Sequence, residues 1–241
     1  MRRPSASFLI LLSIFAATSA VGLLAQREGF MHSFKDPAIQ YYKAPRTDAV
    51  AKLGAAIQDG TATLSYEPGD GYLRSLLKAL DVPIDSQVAV FSKTSFEGPI
   101  INQKNPRAIF FNDHVAVGWV RGGTLELAAQ DPKQGVALYV LPQQRVDKPA
   151  FARPEGICLQ CHVTWETFGI PGFVVESTGP PDITGYATGG VTDDRTSFDQ
   201  RWGGWYVTGK SVPFDHMGNV PVETPLASRK KTPELTSLQG H

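Results

Sequence analysis

The sequence predicts an α+β protein: helices near the N-terminus, an antiparallel β-meander in the middle, and an irregular C-terminal half. Three observations carry this. Apolar residues recur at helical spacing between residues 47 and 80. The period then changes to two, between residues 87 and 141. Gly (23) and Pro (18) are both plentiful, which favours turns and loops over a helical bundle.

Arg27 to Arg46 has little periodicity and reads as an extended lead-in. Thr47 to Gln58 follows as a helix, with Thr47 or Asp48 placed to cap it, a stripe of Val50, Leu53 and Ile57, and Gly60 to end it. A second helix is expected from Tyr72 to Leu80, where Leu73, Leu76, Leu77 and Leu80 share a face before Pro83. Strands are expected at Gln87 to Ser92, Ala108 to Phe111, Val115 to Val120, Thr124 to Ala129 and Val136 to Leu141. Turn sequences separate the last four: Asn112-Asp113-His114, Arg121-Gly122-Gly123, and a stretch from Gln130 to Gly135. Gln143 to Pro154 is a connection containing Pro and Lys. Thr178 to Gln200, rich in Gly, Thr, Asp and Pro, reads as irregular loop. Arg201 to Gly209 is aromatic and compact, a strand or a tight turn. The tail from Glu223, with Arg229-Lys230-Lys231, reads as a solvated end.

The chain has 241 residues, 42% apolar and 19% charged, which is enough for one sizeable core or one domain with an appended module. Acidic and basic residues balance at 23 each, so no positive excess exists to hold nucleic acid. The first 25 residues differ in kind. Arg2 and Arg3 precede an apolar run from Phe8 to Ala17, and small residues follow at Ala17 to Ala20, where a signal peptidase would cut. The uncharged run extends from Pro4 to Ala25, and about 20 such residues suffice for an uncleaved inner-membrane anchor. Both outcomes export the chain. The organisation is then residues 1–25 as signal peptide or anchor, 27–150 as the α+β region with its meander, and 151–241 as a region built around one motif.

That motif is Cys158-Leu159-Gln160-Cys161-His162, which contains both cysteines of the chain. Two thiols at this spacing can form thioethers to the two vinyl groups of one haem, and the adjacent imidazole is then held under the iron as proximal ligand. A redox-active Cys-x-x-Cys belongs beside a thioredoxin-like βαβ pattern, which is missing here, and a zinc site needs a second ligand pair. Covalent attachment also suits an exported protein, where lost cofactor is not recovered.

On these residues the chain resembles the c-type cytochrome superfamily, which implies one covalent haem c on Cys158 and Cys161 with His162 on the iron. Ile170-Pro171-Gly172, about ten residues on, resembles the Pro-containing loop whose carbonyl accepts the proximal histidine's Nδ1–H in small cytochromes c. The late placement of the motif after antiparallel strands gives a partial likeness to the β-rich cytochrome P460 and c′-β families. Nearly 80 residues follow the motif here, which departs from their C-terminal attachment. Asn105 to Asp113 and Arg201 to Gly209 are similar to segments of uncharacterised bacterial single-haem proteins.

Function turns on the sixth iron position. Met31 and His32 lie near the leader, His241 at the terminus, and His114 in a turn where histidine is tolerated for backbone reasons. His216 and Met217, 54 and 55 residues after His162, lie in a Pro/Gly-punctuated loop, and one of them or neither takes the site. Methionine would raise the reduction potential and histidine lower it. Trp202 and Trp205 either wall the haem crevice or pack the β-region, and Arg201 and Lys210 flank them as candidate propionate partners. The expectation is a periplasmic one-electron carrier that meets a redox partner protein through a small interface, with an enzymatic role left open. The rival is a haem enzyme or gas-binding protein with an open distal site.

Overall fold

The computed structural model describes residues 33–181, 187–209, 214–221 and 234–238. The leader at residues 1–25, with Met31, His32, Lys210 and His241, lies outside the described residues. Among those described, no helix is long and apolar enough to cross a membrane.

The fold is α+β with little helix. Helix α1 (Ala49–Asp59) starts at Asp48, whose carboxylate accepts from Ala51 N–H, and ends at Gly60 in the left-handed conformation. Its Val50 and Ile57 are buried. Helix α2 (Leu73–Ala79) buries Leu73, Leu76 and Leu77, each worth about 1.5–3 kcal/mol of apolar transfer.

Five strands make one antiparallel sheet in chain order: β1 (Val88–Val90), β2 (Arg107–Phe111), β3 (Val115–Trp119), β4 (Leu125–Asp131) and β5 (Gly135–Leu141). The expected meander is present. Strand β1 stops earlier than its apolar pattern because the N–H groups of Phe91 and Ser92 donate to Gly204 O instead of to a strand. In the β2–β3 turn, Asn112 Oδ1 accepts from the N–H groups of His114 and Val115, which fixes exposed His114 as a turn residue.

The sheet is covered on both faces. Val115, Val117, Leu125, Leu127, Ala137, Tyr139 and Leu141 point to one side and pack with Val50 of α1 and the leucines of α2. Alternation puts Arg107, Gly118, Glu126, Ala128, Val136 and Leu138 on the other side. There Val136 and Leu138 pack with Leu159 of the motif, with Val163 just after it and with Tyr41. The lead-in is not extended where described. It forms a turn at Ser33–Lys35 and further hydrogen-bonded turns through Ala44, because Tyr41 is drawn onto β5, its hydroxyl donating to Val136 O and accepting from Leu138 N–H.

Both sheet edges are sealed by the C-terminal half. Outside β5, Val140 pairs with Ala152, and Val136 N–H donates to Pro171 O at 2.7 Å. Outside β1, Val90 pairs with Trp205, and Tyr206 N–H donates to Ala89 O.

One expectation needs correction. The segment from Thr178 is not wholly irregular: β6 (Glu176–Pro181) and β7 (Ala187–Val191) form a second antiparallel pair with a register shift between Thr178 and Pro181. Its Gly, Thr and Pro residues carry no apolar alternation, so tertiary anchoring overrides propensity. Thr178 N–H donates to Gly203 O, and Ser177 Oγ bonds Thr192 Oγ1. Beyond β7 the chain is irregular as expected, apart from a single turn at Phe198–Gln200.

Candidate haem attachment site

The motif lies on one helical turn, α3 (Leu159–His162), led by Cys158. Residues three and four apart share a helix face. Cys158, Cys161 and His162 therefore group together, while Leu159 and Val163, both 4% exposed, take the opposite side and grip Val136 and Leu138. The apolar pair is what holds the reactive trio at a fixed place above the sheet. Both cysteines are free thiols, Cys161 exposed and Cys158 half-buried.

His162 is tied down twice by one residue. Its Nδ1 lies 2.8 Å from Gly172 O, and Gly172 N–H donates to His162 O at 2.9 Å. With Nδ1 the protonated nitrogen, Nε2 keeps its lone pair for a metal. The support runs back to the sheet, because the preceding carbonyl, Pro171 O, is the one that accepts from Val136 N–H. Gly135 makes this seat possible: its φ is +76°, and a Cβ there would stand 2.3 Å from Pro171 O.

Electrostatics favour neutral donors. Burial lowers the His162 pKa, opposed by the Gly172 hydrogen bond, deepened by Arg107 and opposed again by Glu126, a net shift that favours the neutral imidazole. Burial raises both thiols, with Glu126 acting further on Cys158 and Glu176 on Cys161. A nucleophilic or disulfide-exchanging Cys-x-x-Cys needs the reverse shift. Near His162, the Arg107 Nη1 and Glu126 Oε2 atoms meet at 2.6 Å, crossing from β2 to β4 over Gly118.

The surroundings are apolar and uncovered. Of the thirteen exposed large apolar side chains among the described residues, six fall between residues 157 and 175: Ile157, Trp165, Phe168, Ile170, Phe173 and Val175. Phe168 is 85% exposed and Trp165 65%. Such concentration marks a surface that something covers. Two thiols, one imidazole with its Nε2 lone pair available and exposed apolar side chains on the same segment are donors and surface of the kind a haem takes. Among the described residues, no three His, Cys, Asp or Glu side chains converge as a metal cage.

The other candidates are placed as follows. Trp205 Nε1–H donates to Glu176 O at 2.7 Å, and its ring meets Trp202 edge-on at 6.2 Å. Trp202 N–H donates to Ser177 Oγ. The pair therefore seals the β1 edge and borders the motif through Glu176, whose burial raises its carboxyl pKa. Met217 N–H donates to Arg201 O, and Met217 Cε packs beside Gly203. His216 is buried, and its Nδ1 accepts from Gly218 N–H at 3.0 Å, so Nε2 carries the proton in the neutral ring. That tautomer is not the ligating one at Nε2. Arg201 donates to Thr196 O and Asp194 O and lies over the Phe198 ring, so its guanidinium is engaged in its own loop.

Sequence reasoning did not find the Arg107–Glu126 pair, or Glu176 beside Cys161. Arg107 and Glu126 sit on non-adjacent strands, and only the register over Gly118 brings them together.

No protein-family model, no curated protein and no solved structure matches this chain.

Proposed function

We propose that this chain is an exported single-haem c-type cytochrome that passes one electron at a time to a redox partner protein. Cys158 and Cys161 would hold the haem by thioethers, and His162 would bind the iron through Nε2. Bound there, a haem supplies a metal that cycles between ferrous and ferric states.

The observation that carries the reading is the His162–Gly172 double hydrogen bond, on a segment that exposes six large apolar side chains between Ile157 and Val175. The Gly172 carbonyl orients the imidazole and strengthens its donation. Leu159 and Val163 keep the three donors in register with the sheet, and the exposed Trp165, Phe168 and Phe173 are aromatic side chains that would lose water on covering a porphyrin. The exposed apolar rim is also the surface on which a small, transient protein contact would form. The leader, cleaved or retained as an inner-membrane anchor through residues 4–25, would deliver the chain to the periplasm.

A second reading has its own support. His216 Nδ1 is taken by Gly218 N–H and the Met217 side chain is packed at Gly203. With both side chains so engaged, the sixth position would stay open, as in a haem enzyme or gas-binding protein.

The test has two stages. Full-length protein made with haem-attachment machinery is denatured and extracted with acid acetone: haem retained by the wild type and lost from Cys158→Ala/Cys161→Ala supports attachment, and haem lost from both overturns it. The ferrous spectrum with and without carbon monoxide then separates the readings. A low-spin spectrum indifferent to carbon monoxide supports electron transfer, and rapid binding by high-spin iron supports the open site.

A further inference from the structure

A cleft of about 600 Å³ opens on the side of the molecule where the lead-in meets the segment entering the motif. Its walls include Lys43, Arg46 and Arg153, with Tyr42, Phe151 and Glu155. Three cations thus face one carboxylate. None of the three forms an ion pair among the described residues, whose salt bridges lie elsewhere at Arg74, Arg107 and Arg195. The other nearby acid, Asp48, is engaged with Ala51 N–H and with the Tyr139 hydroxyl at 2.5 Å.

Arg153 is the more telling of the cations. Its guanidinium lies 4.1 Å from the Tyr41 ring centroid, 5.4 Å from that of Tyr42 and 5.7 Å from that of Tyr139. It makes one hydrogen bond, from Nη1 to Tyr41 O, while Nε and Nη2 are buried without a partner. A planar cation held by aromatic rings, with two buried donors unused, lacks the counter-ion that its burial calls for. Arg46 approaches the same Tyr139 ring at 5.7 Å, so two guanidinium groups converge on one wall. The volume falls within the range of small-molecule sites.

We propose that this cleft binds a small multivalent anion, carboxylate or phosphate in character, through Lys43, Arg46 and Arg153. The cleft adjoins the motif, since Gly156 N–H donates to the Tyr42 hydroxyl and Tyr42 packs in one apolar cluster with Cys158. The same chemistry therefore has two sources: a free polyanion, or the carboxylates of a group tethered at Cys158.

Titration calorimetry at low ionic strength, with citrate and with inorganic pyrophosphate, tests this on the full chain bearing its tethered group and on the Cys158→Ala/Cys161→Ala chain. Lys43→Gln/Arg46→Gln is expected to weaken binding at least tenfold, and Lys78→Gln/Arg121→Gln, which removes the same charge from exposed positions elsewhere, to leave it within twofold. Binding by both chains assigns the cleft to a separate ligand, and binding by the cysteine-free chain alone assigns it to the tethered carboxylates; each supports an anion site. No binding by either chain, or equal weakening by both charge pairs, overturns it.

Discussion

The imidazole of His162 and the backbone of Gly172 form a closed pair, with Nδ1 at 2.8 Å from Gly172 O and the main-chain bond returning at 2.9 Å. A Cβ on residue 172 would meet Thr167 Cγ2 at 2.8 Å, so Gly172→Ala displaces the carbonyl from the ring. Weaker donation from the imidazole stabilises ferric iron less. The reduction potential of the haem-bearing variant is expected to rise, and a potentiometric titration showing no rise removes this role from Gly172.

Leu159 and Val163 fasten the motif to β5, both 4% exposed. Leu159→Ala is expected to cost about 2–4 kcal/mol, read as a lower urea midpoint. A loss below about 0.5 kcal/mol, the usual range for surface changes, contradicts the anchoring described.

Asp131 links the β4–β5 turn to the start of α1. Burial would raise its carboxyl pKa, but hydrogen bonds from the N–H groups of Thr47, Lys133 and Gln134 and from the Thr47 hydroxyl outweigh it, and the pKa is lowered. A depressed folded value stabilises the fold above the unfolded pKa of about 3.9 and ceases to do so as pH falls through the folded value. The stability gap between wild type and Asp131→Asn is expected to close below about pH 4 in acid titrations followed by circular dichroism. A gap constant down to about pH 2 speaks against it.

Gly204 holds the β1 edge. Its φ is +83°, and a Cβ would lie 2.4 Å from Ser92 Cβ and 2.6 Å from Thr178 Oγ1. Gly204→Ala is expected to release the Phe91 and Ser92 amides from Gly204 O, so that these exchange hydrogen faster while the β4 amides do not. Unchanged exchange at Phe91 argues that the contact is dispensable.

The meander and both helices were legible because each follows one period without interruption, and because Asp48, Gly60 and Asn112 sit where caps and turns need them. The five-residue motif stood out for a chemical reason, since few arrangements place two thiols and an imidazole at that spacing, whereas the Gly172 carbonyl on His162 Nδ1 was expected only from the resemblance to small cytochromes c. The β6–β7 pair was not, since Glu176 to Pro181 has no apolar alternation and takes its pairing from anchors on Gly203 and Thr192. Nor was the cationic cleft, whose residues 43, 46 and 153 meet only because Tyr41 docks on β5. The candidacy of His216 and Met217 rested on spacing and a Pro/Gly-punctuated loop, which say nothing of the Gly218 N–H bonded to His216 Nδ1.

Because Ala152 and Pro171 close one rim of the sheet while Trp205 and Tyr206 close the other, the half that carries the motif also guards the meander against intermolecular pairing. A chain ended near residue 150 would retain all five strands yet present two bare hydrogen-bonding rims. Solubility of the β-region is thus a property lent by its neighbour, and the Cys-x-x-Cys-His segment and its platform are inseparable as a folding unit.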